Sequence, residues 1–112
     1  MKISERPWGR YEVILEHSGY KVKKISVNPG GKLSLQSHDH RSEHWIIVSG
    51  TAKITVGEII QKRQAGTSVF IPQGSRHRLE NETSELMELI EVQLGDYLEE
   101  DDIKRYEDIY DR

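Results

Sequence analysis

Apolar and polar residues alternate along this chain in short runs, and Gly, Pro and Asn interrupt the runs at close intervals. Period-two alternation places one face of a strand in a core, and the interrupting residues reverse the chain, so the rhythm predicts an all-β sandwich or barrel. Strands are expected at 9–15, 20–27, 33–38, 43–48, 51–56, 59–63, 67–71, 77–80 and 87–93, with turns at 28–31, 49–50, 57–58, 65–66 and 72–74. The tail differs. It carries eight Asp and Glu between Gly95 and Arg112, and Glu99-Glu-Asp-Asp102 reads as a helix N-terminus, where carboxylates face free N–H groups. A short helix over about 101–107 is predicted, packed on the barrel through Tyr97, Leu98, Ile103, Tyr106 and Ile109.

Length and charge narrow the picture. A chain of 112 residues is one domain, with a barrel core at about 9–94 and the acidic tail at about 95–112. Its 16 Lys and Arg against 19 Asp and Glu lack the basic excess that nucleic acid requires. The short clusters 21–24 and 76–78 are enough for a phosphate-bearing small molecule. There is no cysteine, hence no disulfide or thiolate chemistry. No apolar run approaches the roughly 20 residues of a membrane span, and the N-terminus lacks a signal-peptide stretch, so a soluble, cytoplasmic protein with no membrane partner is expected.

The histidines are His17, His38, His40, His44 and His77. Residues two apart on a strand share a face, so Gln36 and His38 point the same way, and Glu43 opens the next strand after a short connection. His77, just beyond Pro72-Gln-Gly74, is a candidate fourth ligand from a distant strand. Two imidazole nitrogens, an amide oxygen and a carboxylate suit one divalent ion: Zn²⁺ first, with Mn²⁺, Fe²⁺, Co²⁺ or Ni²⁺ as further candidates. The alternative for the same four residues is a hydrogen-bonded polar core without metal.

These spacings resemble the cupin family. Gly30, Gln36, His38, Glu43 and Gly50 follow its first motif, and Gly66, Pro72, Gly74, His77 and Asn81 follow its second. One departure is that Gln36 stands where the family has histidine. Pairing His38 with His40 instead would leave two residues before Glu43 and break the spacing from Gly30. The resemblance implies a single-domain jelly-roll barrel with Gln36, His38, Glu43 and His77 as metal ligands.

A narrower resemblance rests on Arg6-Pro-Trp-Gly9, Ser34-Leu-Gln-Ser-His38, Arg41-Ser-Glu-His-Trp45, Ile71-Pro-Gln-Gly-Ser-Arg-His77, Glu91-Val-Gln-Leu-Gly95 and Glu100-Asp-Asp-Ile-Lys-Arg-Tyr-Glu-Asp108. Together they look like the type II mannose-6-phosphate isomerase domain, commonly the C-terminal cupin of bifunctional GDP-mannose pyrophosphorylases. The resemblance implies interconversion of mannose 6-phosphate and fructose 6-phosphate. Related type I isomerases hold zinc through Gln, two His and Glu, which suits Gln36. No Gly-rich nucleotidyltransferase segment precedes the barrel here, so pyrophosphorylase activity is not expected of this chain.

Such an isomerase moves a proton between C1 and C2 through a cis-enediol. It needs a base and an electrophile. Glu91 is the candidate base if its strand turns that face inward; parity alone leaves the direction open. Arg41 shares Glu43's face and would grip a phosphate or polarise an oxygen. Lys24 is the inward candidate on its strand, with an exposed strand lysine as the alternative. Arg105 would close over a phosphate, or would form a surface salt bridge. Trp45 and Ile47 share Glu43's face, whereas Ile46 and Val48 face the other way. Since many cupins dimerise through such a second apolar face, a homodimer is expected. Two rival functions remain: another metal-dependent cupin enzyme, and a non-catalytic sugar-phosphate-binding module.

Overall fold

Alternation sets two antiparallel sheets with their apolar faces together. The computed structural model describes residues 2–110. Its strands are β1 (Lys2–Arg6), β2 (Gly9–His17), β3 (Tyr20–Val27), β4 (Leu35–Ser37), β5 (Arg41–Ser49), β6 (Thr51–Val56), β7 (Ile59–Gln64), β8 (Ser68–Ile71), β9 (His77–Glu80), β10 (Met87–Gly95) and β11 (Lys104–Glu107). The larger sheet has the order β1-β2-β3-β10-β5-β8 and the smaller one β11-β4-β9-β6-β7. The expected strands are present within a residue or two of their predicted ends, which is ordinary fraying.

The inner face of the larger sheet changes character along its length. On adjacent strands, Val27 lies opposite Met87, and Ile25 opposite Leu89, which also faces Ile47. Further along, Lys23 lies opposite Glu91, Lys21 opposite Gln93, Gln93 opposite Glu43 and Gly95 opposite Arg41. Apart from Gly95, all of these residues are buried. Ala52, Ile54 and Leu79 of the smaller sheet join Ile25, Val27, Ile47, Met87 and Leu89 in one apolar core. One end of the barrel is therefore sealed by packing, and the other end holds charge. On the outside, Ile46 and Val48 are exposed, as their parity predicts.

The tail corrects one expectation. No described residue is helical, and the segment expected as a helix over about 101–107 contains β11 instead. Asp102 does not cap a helix. Its carboxylate accepts the backbone N–H of Asp39 at 2.9 Å and of His40 at 3.0 Å. The following residues then meet the free edge of β4, pairing Lys104 with Ser37 and Arg105 with Gln36. A helix of only about two turns over 101–107 recovers little of its nucleation cost, whereas an exposed sheet edge offers ready partners. Tyr106 and Ser37 hydroxyls at 2.8 Å, and Arg78 Nη1 with Glu107 Oε1 at 3.0 Å, fix the strand in place. β1, also unexpected, pairs with β2 along its whole length.

Asn81 braces the far loop. Its amide donates to the carbonyls of Val27 and Glu85, and its oxygen accepts from the Thr83 N–H and hydroxyl, which uses its full hydrogen-bonding capacity. Gly9 is fixed by close approach: φ is +151° and a Cβ would stand 2.0 Å from the Ser26 carbonyl oxygen. Gly19, at φ +90°, has nothing within 4 Å. Gly9→Ala should therefore cost about 3 kcal/mol in chemical denaturation, from strain plus clash, against about 1 kcal/mol of strain alone for Gly19→Ala. Equal losses would contradict this close approach.

Candidate metal centre and its cavity

His38, Glu43 and His77 converge at the charged end. His38 follows the short β4, Glu43 lies on β5 and His77 opens β9. Each offers one ligand atom, and these atoms lie within 4.8 Å of one another. All three residues are buried. His38 Nε2 is 3.3 Å from Glu43 Oε2, and His77 Nε2 is 4.0 Å from Glu43 Oε1.

The far side of each ring decides its tautomer. His38 Nδ1 lies 2.7 Å from the Asp102 carbonyl and His77 Nδ1 lies 3.0 Å from the Ser75 carbonyl. A carbonyl accepts, so each Nδ1 carries the proton, and each Nε2 turns a lone pair toward Glu43. This is how ligand histidines are oriented at metal centres. Burial, then the nearby Arg41 charge, pushes His38 down to about 4, and burial also lowers His77. Both rings are thus neutral at pH 7. Gln36 lies directly opposite His77 across β4 and β9, so it faces the same interior. Its amide nitrogen donates to Ser34 Oγ at 2.9 Å, which leaves the carbonyl oxygen to offer a cation. Two imidazoles, a carboxylate and an amide oxygen fit a divalent ion.

A guanidinium already balances the carboxylate. Arg41 Nε donates to Glu43 Oε2 at 2.8 Å, and its Nη2 lies 3.2 Å from His38 Nε2. One lone pair cannot serve an N–H and a metal ion together, so Arg41 would release His38 when an ion binds. Its buried Nη1 has no hydrogen-bond partner. Trp45 Nε1 donates to Glu43 Oε1 at 2.9 Å and holds the other oxygen.

The remaining sequence candidates divide. Glu91 points inward, is 4% exposed, and accepts a hydrogen bond from Gln93 Nε2 at 2.7 Å. Burial, then repulsion from Glu43, pushes its carboxyl up to about 7. A cavity of about 120 Å³ is lined by Gln36, His38, Arg41, Glu91 and Arg105 among others. A smaller one of about 30 Å³ shares Ile25, Leu33, Gln36 and Glu91 with it and reaches Glu43 and His77. Lys24 is not in this set. It is half-buried on the outer face, with its Nζ 3.2 Å from Glu88 Oε2. The inward lysine is Lys23, and the signal for it was parity with Ile25 and Val27. His40 is exposed and lies outside both linings. Arg6, Trp8, Tyr11 and Glu100 also line the larger cavity. Arg6 and Trp8 precede the first predicted strand, Tyr11 lies on it and Glu100 lies in the tail, and only tertiary closure brings them together.

A closed jelly roll with imidazoles and a carboxylate at its centre defines a cupin. The chain belongs to the family described as mannose-6-phosphate isomerase C-terminal, whose pattern matches residues 2–108. It is 53% identical to the xanthan biosynthesis protein XanB of Xanthomonas campestris pv. campestris over 107 residues, which cover 96% of this chain and 23% of that protein. With the mannose-1-phosphate guanylyltransferase of Escherichia coli K12 it shares 49% identity, covering 96% of this chain and 22% of that one. The chain thus spans under a quarter of the length of these curated relatives. An RmlC-like cupin from Shewanella frigidimarina superposes with a TM-score of 0.79 at 23% identity, over 89% of this chain and 86% of that one. A sugar phosphate isomerase of the cupin superfamily from Silicibacter pomeroyi gives 0.69 at 19%, over 76% and 58%. These structural likenesses show the fold.

Two outcomes are expected. Zn²⁺ at a thousandfold excess over its dissociation constant should stabilise the protein by about 4 kcal/mol, read as a rise in thermal midpoint. His38→Ala and His77→Ala should abolish most of that rise. The second concerns pH. Glu91's folded pKa is raised above its unfolded value, so its stabilising contribution is full below about 4.5 and is lost as pH rises through about 7. Without metal, Glu91→Gln should therefore be more stable than the parent at pH 8, by on the order of 2 kcal/mol, with the gap narrowing below pH 6. A gap independent of pH would contradict the raised value.

Proposed function

We propose that this chain is a metal-dependent aldose–ketose isomerase that interconverts mannose 6-phosphate and fructose 6-phosphate. The observation that carries this reading is the position of Glu91. It lines the same cavity as the ligand candidates, inside a buried environment that brings it near neutrality. A base works best when its pKa lies near the working pH.

The residues divide the work. Gln36, His38, Glu43 and His77 would hold the ion, Zn²⁺ in this reading. When bound, it supplies a Lewis acid that polarises substrate oxygens. Glu91 takes the proton from C2 and delivers a proton to C1, while the proton of the C2 hydroxyl passes to the C1 oxygen of the enediol. Gln93, donating to Glu91, orients the carboxylate. Arg41 turns its free Nη1 and its released Nη2 toward a substrate oxygen. Trp8, Tyr11 and Leu33 wall the cavity and limit water around the enediol. Arg105, opposite Gln36 on β11, adds positive charge for the sugar phosphate.

Arg41 also favours a second reading. Its guanidinium balances Glu43 and reaches His38, so the charged centre is self-consistent as part of a sugar-phosphate-binding module without turnover.

A coupled assay separates the two. Purified protein stripped of metal and given mannose 6-phosphate should form fructose 6-phosphate only when Zn²⁺, Mn²⁺, Co²⁺ or Ni²⁺ is restored. Glu91→Gln should lower kcat by about 10²- to 10⁴-fold while leaving metal affinity within a few-fold. No product from folded protein with its metal bound would overturn the isomerase and leave the binding module.

A further inference from the structure

The cavity has two ends. Among the ligand candidates Glu43 and His77 line only the smaller part, His38 lines only the larger part and Gln36 lines both, and the larger part runs on from His38 to Arg6, Lys23 and Arg105. In a hexose 6-phosphate the reacting carbons and the phosphate also lie at opposite ends. Lys23 is the anchor of the larger part. It is 4% exposed, and its Nζ stands 4.2 Å from the Tyr11 ring centroid. Arg6 donates to the Tyr11 hydroxyl at 3.3 Å. A buried ammonium without a counter-charge is costly by several kcal/mol, so Lys23 favours an anion beside it. Cross-strand Glu91 faces it within the sheet.

The other anion comes from the tail. Glu100 Oε1 lies 2.6 Å from Lys23 Nζ, while the Glu100 side chain remains 48% exposed. It sits in the connection between β10 and β11, which has no regular structure over 96–103. That connection is held by few polar ties. Lys21 Nζ donates to the Leu98 carbonyl at 2.6 Å, and Asp102 is fixed to the Asp39 and His40 amides. Glu100 is therefore a carboxylate on a short strap, laid on a buried cation in the larger part of the cavity.

We propose that Lys23, with Arg6 and Arg105, forms the subsite for the substrate's phosphate, and that Glu100 occupies it as an internal surrogate which the phosphate displaces. The proposal rests on the sugar-phosphate reading above and deepens it. A phosphate dianion brings more charge and more acceptor oxygens than one carboxylate. Once it sits on Lys23, Glu100 is repelled, and the strap lifts between its anchors at Leu98 and Asp102. Occupancy of the subsite is thereby coupled to opening of the cavity mouth.

Calorimetric titration tests this without turnover, using inorganic phosphate, mannose 6-phosphate and mannose. Glu100→Gln, a change at an exposed position that leaves the fold intact, should bind inorganic phosphate about tenfold more tightly because its competitor is gone. Lys23→Met, and Lys23→Gln should the first fail to fold, should weaken phosphate and mannose 6-phosphate by at least tenfold and leave mannose unchanged. Amide exchange over 96–103 should quicken when phosphate binds the parent protein. Unchanged or weaker phosphate binding in Glu100→Gln overturns the proposal, as does full phosphate affinity in a folded Lys23 variant. The expected binding pattern in a protein that never isomerises would leave this subsite standing and remove the isomerase. Turnover with unaltered phosphate binding in Glu100→Gln would do the reverse.

Discussion

The structure depends on satisfying both oxygens of the Glu43 carboxylate at 1% exposure in the middle of a small barrel. An isolated carboxylate there would be costly by several kcal/mol or would take up a proton. Three strands solve this together. Arg41 and Trp45, two residues to either side on β5, hold its two oxygens, and His38 and His77 come from the opposite sheet with neutral rings. These groups are themselves buried, and the pattern of partners spreads outward to the carbonyls of Asp102 and Ser75, with Arg41 Nη1 left open.

That outward spread explains why the tail belongs to the site. Asp102 presents its carbonyl to His38 and its carboxylate to the amides of Asp39 and His40, so one residue sets a ring tautomer and closes the turn after β4. β11 then places Arg105 beside Gln36. The strap between β10 and β11 carries Glu100 onto Lys23. The barrel supplies the ligand candidates, and the last part of the described chain orients one of them and lines the cavity with Glu100, Ile103 and Arg105.

Much of this was legible in the sequence because period two is a strong signal. The strands from β2 to β10 and the shared interior of Gln36, His38, Glu43 and His77 follow from spacing and turn residues. Lys24 was misassigned because three lysines crowd β3 and hide its parity; Ile25 and Val27 mark odd positions as inward, which selects Lys23. Glu91 was ambiguous because its face carries Leu89 beside two polar groups. The structure resolves this through a sheet whose inner face runs from apolar to charged along its length. The acidic tail read as a helix because helix-start signals are local, whereas the edge of β4 that captures it lies about 70 residues away in sequence, as Arg105 pairs with Gln36. Nothing local in the sequence placed Arg6, Tyr11 and Glu100 at the cavity, since that position is created by closure of the barrel.

The central claim is that Glu91 moves a carbon-bound proton beside a cation held by His38, Glu43 and His77. It is tested most directly by solvent exchange. The metal-loaded protein is incubated with mannose 6-phosphate in D₂O and the sugar carbons are followed by NMR. The account predicts deuterium at the transferring carbon, lost on chelation and reduced at least a hundredfold in Glu91→Gln while metal affinity is kept. Deuterium incorporation undiminished in Glu91→Gln, or neither deuterium nor fructose 6-phosphate from the metal-loaded parent protein, would contradict it.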